Sequence, residues 1–214
     1  RNIYIGSNIF RKLGHKTLAK SHHLNIRLSL RVKITSTFTP AYGKPCKRVL
    51  ENLLEWSRSQ IGGLQYNPTI IDVNDLFDRV SSLFKNNANN KNIEFVKEVQ
   101  DKMFRADNYQ TNTIIRNLVS NAIKFSFPNS KIILGARDLG DFVEIYVKDF
   151  GTGLSDEAKD KVFRIEAKYT TPGTQNEPGT GLGLVLCKEL AEKQNGALYF
   201  ETELNKGTTF FVNL

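Results

Sequence analysis

Three short polar segments carry residue types and spacings suited to a ligand with phosphates and a flat ring. The first is Asn117, Asn121 and Lys124. Separations of four and three place them on one stripe of a helix, with Ile115, Leu118, Val119 and Ala122 on the opposite side. Two amides and an ammonium can cradle a hydrated Mg2+ and phosphate oxygens, because Mg2+ keeps several waters and needs only one or two protein oxygens. The second segment, Asp149-Phe150-Gly151-Thr152-Gly153, follows a strand. A carboxylate there can accept from an exocyclic amine, and the glycines let backbone approach a ring closely. The third, Gly179-Thr180-Gly181-Leu182-Gly183-Leu184, opens a helix, where bared N–H groups and the helix dipole favour anions. Taken singly, these segments fit a solvated helix face, a turn and a glycine-rich loop equally well. Their order on one chain carries more weight than any one of them.

Two common phosphate-binding patterns fail on context. The glycine run matches the dinucleotide-binding spacing, but no strand precedes it and no βαβ unit surrounds it. No Gly-Lys-Ser/Thr follows, so the Walker A loop is excluded as well.

The elements that must position these segments follow from periodicity. Pro68 to Val73 reads as a short strand, and Asn74 can cap a helix carrying Leu76, Phe77, Val80, Leu83 and Phe84. An Asn-rich loop, Asn86 to Asn92, leads to a strand over Ile93 to Val99. A helix is expected from about Asn108 to Phe125, then strands over Lys131 to Arg137 and Phe142 to Lys148, turning at Gly140-Asp141. Alternation at Val143, Ile145 and Val147 predicts one buried face and one that is wet or covered by polar neighbours. Ser155 caps a short helix to Phe163, and a Thr-, Pro-, Gly- and Asn-rich loop covers Ala167 to Gly179. The last helix spans Leu182 to Gln194 and stops at Asn195-Gly196. A strand pair, Ala197 to Leu204 and Thr208 to Leu214, turns at Asn205-Lys206-Gly207. Antiparallel pairs with helices between them predict an α+β fold, a two-layer α/β sandwich with one mixed sheet covered by helices on one face.

Composition divides the chain. The net charge is +8, yet residues 1–48 hold eleven Lys and Arg and no acidic residue, while the remainder has 19 basic and 22 acidic residues. No apolar run approaches the length of a membrane span, and no signal peptide is legible. Cys46 and Cys187 have no metal-ligand spacing and fit reduced thiols in a cytoplasmic protein. From Arg48, Leu50, Leu54, Ser57, Ile61 and Leu64 recur at spacings of four and three, a helix with a coiled-coil-like seam that frays at Gly62-Gly63. That stripe fits either a helix packed on its own domain or half of a dimerising hairpin.

The run Asn117-Leu-Val-Ser-Asn121-Ala-Ile-Lys124-Phe125 resembles the N box of sensor histidine kinases. Asp149-Phe-Gly151-Thr-Gly153 is similar to their G1 box, Phe163 to their F box, Gly179 to Leu184 to their G2 box, and Gly207-Thr208-Thr209-Phe210 to the motif on their closing strand. The resemblance covers about 150 residues in order. It implies the ATP-binding sandwich shared with gyrase-, Hsp90- and MutL-type ATPases, and transfer of the γ-phosphoryl group of ATP to a histidine. It further implies that Asn121 coordinates Mg2+, Asn117 lies beside the phosphates, Lys124 contacts phosphate oxygens and Phe125 packs near the nucleotide. Asp149 would read the adenine amine, with Gly151, Gly153 and Thr208 shaping that pocket. Gly179, Gly181, Leu182 and Gly183 would meet the phosphates at the base of a lid, roughly Ala167 to Pro178, to which Thr171 and Lys168 would contribute. Where related ATPases hold a glutamate as general base for water, this chain has Asn117, which favours phosphotransfer over hydrolysis.

The domains expected are a basic segment over 1–46, the second helix of a dimerisation hairpin over 47–66 and the catalytic domain over 67–214. The expected partners are ATP, a response regulator receiver domain and a second copy through the hairpin; no nucleic-acid motif accompanies the basic segment. His15, His22 and His23 lack the acidic residue, Leu-Arg-type pair and proline that follow the family's acceptor histidine. A docking partner that binds ATP without catalysis is therefore a competing reading, as is an ATPase of the same fold. A stretch of about fifty residues without Asp or Glu arises on the order of once in several hundred chains. This points to a foreign or wrong-frame stretch over 1–46, which sequencing of the DNA across the Lys47 codon decides.

Overall fold

The computed structural model describes residues 66–99, 102–164, 171–179 and 181–214. The basic segment 1–46 with His15, His22 and His23, the Leu50–Leu64 stripe, and Lys168 lie outside the described residues. In chain order the elements are β1 (Pro68–Asp72), α1 (Val73–Asn89), β2 (Glu94–Glu98), β3 (Met103–Asp107), α2 (Asn108–Phe125), β4 (Lys131–Asp138), β5 (Val143–Lys148), α3 (Asp156–Lys159), α4 (Gly183–Glu192), β6 (Ala197–Glu203) and β7 (Gly207–Asn213).

The core forms around α2, whose Ile114, Ile115, Leu118 and Val119 are wholly buried. They pack with Leu76 and Phe77 of α1, Leu186 and Leu190 of α4, and Ile132, Leu134, Ile145, Val147 and Val212 of the sheet. The sheet order is β2-β4-β5-β7-β6, with β2 and β4 parallel and the other neighbours antiparallel. This is the expected mixed sheet with helices on one face.

Three local expectations are corrected and a fourth is narrowed. A second sheet pairs β1 with β3 antiparallel; β3 was absent from the expected elements because its alternation spans only five residues with no turn signal beside it. Helix α1 runs through Asn86 to Asn89, which the expected Asn-rich loop would have excluded, because Ala88 is buried and holds the last turn on the core. Leu83, expected on the apolar stripe, is exposed. On β5 the second face takes the covered alternative and not the wet one, with apolar as well as polar neighbours: Val143, Ile145 and Val147 face the helices, while Glu144 and Tyr146 are buried on the other side. There Tyr199 stacks on Phe211 with ring centroids 5.0 Å apart, Tyr146 packs with Ile133 and Phe211, and the Tyr199 hydroxyl donates to Glu144.

The α1 cap is also reassigned. Asp72, at the end of β1, accepts from the backbone N–H of Asn74 at 2.7 Å and of Asp75 at 3.2 Å. Asn74 already lies inside the helix, and the N-cap is Asp72. Asp72→Ala is expected to lower stability by about 1 kcal/mol, with Asn74→Ala nearer neutral; urea unfolding of the two variants distinguishes the caps.

Candidate functional site

Helix α2 supplies one wall of a cleft with about 900 Å3 of open space. Asn117, Ser120, Asn121, Lys124 and Phe125 line it from this helix. Ser120 falls on the same stripe and was missed in the sequence, although its spacing was visible there. Asp107 begins the helix by accepting from the Gln110 N–H at 2.9 Å, and the Ser126 N–H closes it by donating to Ala122.

The strand end after β5 brings Asp149 to the floor. Asp149 Oδ1 accepts from the backbone N–H of Gly151 at 3.1 Å and of Thr208 at 3.2 Å. Both bonds fall on one oxygen, and the residue lines the cleft. Burial pushes the carboxyl up to about 7, against the two N–H bonds from Thr208 and Gly151, which pull it down. Only 5% of the residue is exposed. Gly153 turns the chain with a left-handed φ of 64°, placing Leu154 at the cleft. Thr208 reaches the floor from β7 and is buttressed by Thr202: the two hydroxyls lie 2.9 Å apart, and Thr202 Oγ1 also accepts from the Leu154 N–H at 2.9 Å. Val162 and Phe210 complete the apolar lining. Phe210 belongs to the closing-strand motif read in the sequence, whereas Val162 was not singled out, since a buried Val is indistinguishable there from ordinary core.

The opposite wall is the start of α4. Gly179, Gly181, Gly183 and Leu184 line it, and the N-cap residue, Leu182, supplies no side-chain acceptor. Anion attraction at this helix end therefore depends on backbone N–H groups and the helix dipole. The two walls approach closely: a Cβ on Gly183 would stand 3.2 Å from Asn117 Oδ1. The Asn117 amide is held by its Nδ2 donating to Thr113 O at 3.0 Å.

Lys124 is buried, and its ammonium donates to Thr171 O at 2.6 Å while lying 4.4 Å from the Phe125 ring centroid. Thr171 thus enters the cleft beside Lys124. Of the residues expected at a nucleotide, Asn117, Asn121, Lys124, Phe125, Asp149, Gly153, Thr171, Gly179, Gly181, Gly183 and Thr208 line this one cleft. Gly151 and Leu182 do not. Gly151 bridges to Ser126, and a Cβ there would meet Phe125 O at 1.9 Å, so it permits close packing of the strand end on α2. Leu182 contributes helix geometry instead of a lining surface. Among the described residues no group of three or more His, Cys, Asp or Glu could hold a metal; the α2 wall offers the side-chain oxygens of Asn117, Ser120 and Asn121, neutral donors of the kind that suit a largely hydrated Mg2+.

The family model for histidine kinase-, DNA gyrase B- and HSP90-like ATPases matches residues 106–214, the span that builds this cleft. The chain belongs to this family. Within it, the chain carries the catalytic ATP-binding domain of a two-component sensor histidine kinase. It is 30% identical to the histidine kinase ThkA catalytic domain, with a TM-score of 0.60 over 71% of this chain and 95% of that one. It is 27% identical over 172 residues to the sensor protein SrrB of Staphylococcus aureus, covering 80% of this chain and 30% of SrrB. The chain thus spans about a third of the length of the curated relatives it matches. ThkA in complex with the response regulator TrrA shares the fold, with a TM-score of 0.63 and 22% identity over 98% of this chain and 55% of that one. Among the described residues, no helix of this histidine kinase domain is long and apolar enough to cross a membrane.

Proposed function

We propose that residues 67–214 bind Mg-ATP in this cleft and transfer its γ-phosphoryl group to a histidine on a dimerisation hairpin, whose second helix is the segment 47–66. The observation that carries this reading is the presence of two unlike settings in one cleft. Asp149, buried, lining the cleft and with Oδ1 held by two backbone N–H groups, suits an adenine amine. Elsewhere in the cleft Asn117, Asn121 and Lys124 line the α2 wall, and Asn117 faces Gly183 at the start of α4, a setting for polyphosphate.

In this reading Asp149 Oδ2 accepts from the adenine N6 amine, and Thr208 and Gly153 border the ring. Lys124 exchanges its bond to Thr171 O for phosphate oxygens. The α4 N–H groups receive the remaining phosphate charge. Asn121, with Asn117 beside it, would hold Mg2+, which supplies charge neutralisation between phosphates. Phosphoryl transfer needs alignment and charge compensation more than covalent participation by the protein. The bond from the γ-phosphorus to the β,γ-bridging oxygen breaks, ADP leaves, and the imidazole nitrogen of the acceptor gains the phosphoryl group. No carboxylate stands at Asn117 to activate water, which favours the histidine over hydrolysis. The phosphohistidine then serves a response regulator receiver domain, as donor to its carboxylate.

Incubation with γ-labelled ATP tests this. Label is expected to appear only when a separate hairpin with an intact acceptor histidine is added. Label on the chain alone, at His15, His22 or His23, would give the N-terminal segment the acceptor role. Rapid release of free phosphate would instead make the domain an ATPase, and absence of nucleotide binding would reduce it to a docking partner.

A further inference from the structure

Lys91 is one of the most deeply buried charges among the described residues, at 3% exposure. It sits just after α1, far in sequence from every cleft motif. Its ammonium donates to Ile123 O and Lys124 O, each at 2.9 Å, and to Thr174 Oγ1 at 2.7 Å. It also pairs with Glu177 Oε1 at 2.5 Å. The first two acceptors are carbonyls in the last turn of α2, where intrahelical partners run out. The other two belong to the loop that follows Thr171.

That loop is folded against Lys124 itself. The Thr174 N–H donates to Lys124 O at 3.1 Å and the Thr174 hydroxyl to Ser126 O at 2.8 Å. The Gly173 N–H donates to Glu177 O at 3.0 Å, and the Gln175 N–H to Glu177 Oε2 at 2.8 Å. A Cβ on Gly173 would come within 2.6 Å of both Lys124 Cγ and Lys124 O. The turn Gly173–Glu177 therefore rests on the stem of the lysine whose ammonium enters the cleft. Burial of Glu177 opposes its ionisation, but the hydrogen bonds from Lys91 and the Gln175 N–H hold its carboxyl below the ordinary range.

We infer that Lys91 and Glu177 form a clamp that positions Lys124: Lys91 ties the C-terminal turn of α2 to the Gly173–Glu177 turn, and that turn sets where the Lys124 ammonium lies. The clamp acts directly on Lys124, while Asp149 keeps its own two backbone donors, Gly151 and Thr208. Its effect on ATP rests on the nucleotide reading above, whereas its effect on the turn does not.

The full chain is tested with Glu177→Ala, which removes a side chain one third exposed, and with Lys91→Met. Hydrogen exchange at the Gly173 and Thr174 amides is expected to quicken at least tenfold in both, with the α2 amides unchanged in Glu177→Ala. KM for ATP in the mixture with an acceptor hairpin is expected to rise about tenfold, with adenosine affinity kept within about twofold and kcat at saturating ATP little changed. Should Lys91→Met fail to fold, Glu177→Ala carries the test alone. Unchanged exchange at Gly173 and Thr174 in Glu177→Ala overturns the clamp. A parallel loss of adenosine and ATP affinity also overturns it, by making the pair a general stabiliser of the domain. Wild-type chain that binds neither nucleotide refutes the ATP reading, while the exchange measurement still decides the clamp.

Discussion

Asp149→Asn is expected to lower adenosine affinity about 100-fold while making the unliganded domain more stable at pH 8. An asparagine can keep the acceptor role of Oδ1 toward the Gly151 and Thr208 N–H groups. Its other atom is then an NH2, which meets the adenine amine donor to donor and leaves both without a partner. The gain in stability has the same origin as the loss in binding. Because burial raises the Asp149 carboxyl to about 7, the folded chain holds a proton there that the unfolded chain releases near pH 4. Wild-type stability therefore falls as pH rises from about 4 to 7 and is level above. The neutral asparagine lacks that decline. The difference between the two proteins should be near zero at pH 4 and approach, as a ceiling, on the order of 4 kcal/mol above pH 7. Thermal unfolding across pH 4 to 8 measures it; a variant less stable than wild type at pH 8 would remove the buried-carboxylate argument. The wild type's adenosine affinity should rise over the same interval, since the ionised form is the stronger acceptor. Adenosine serves here because it has no phosphate to titrate.

Asn121→Ala is expected to cut phosphotransfer from Mg-ATP by about 100- to 1000-fold, the range found when one preorganised polar group is removed from a charged transition state. Adenosine binding should stay within about twofold of wild type, because Asn121 is not among the groups that hold Asp149, which are the N–H groups of Gly151 and Thr208. The removed side chain lines an open cleft, so no core cavity forms and the fold is preserved. Full activity in this variant would refute the placement of Mg2+ on α2. Equal loss of adenosine and Mg-ATP affinity would refute the division of the cleft into an adenine end and a phosphate end.

Much of this site is local chemistry, and local chemistry is what a sequence records. The helix Asn108–Phe125 was legible to the residue because its stripe of Ile, Leu, Val and Ala repeats at helical spacing over five turns. The same periodicity placed Asn117, Asn121 and Lys124 on one side. The glycine run before α4 and the Asp149 turn were legible because each expresses a backbone need within a few residues. The family resemblance then joined them into one cleft.

What the sequence could not express are contacts between segments far apart along the chain. The pairing of β1 with β3 links residues up to 39 apart; β1 was legible as a short strand, but β3 and its pairing were not. The buried second face of β5 depends on Tyr199 and Phe211, more than fifty residues later. The Lys91 clamp spans 83 residues to Thr174, and a lone lysine after a helix reads as solvated until its four acceptors are seen together. The raised Asp149 carboxyl belongs to the same class, since a titration depends on what surrounds the group. The sequence alone thus determined which residues could meet a nucleotide, because periodicity and backbone needs act over a few residues. Tertiary structure alone decided how those residues are held and charged, because burial and hydrogen bonding draw their partners from the whole chain.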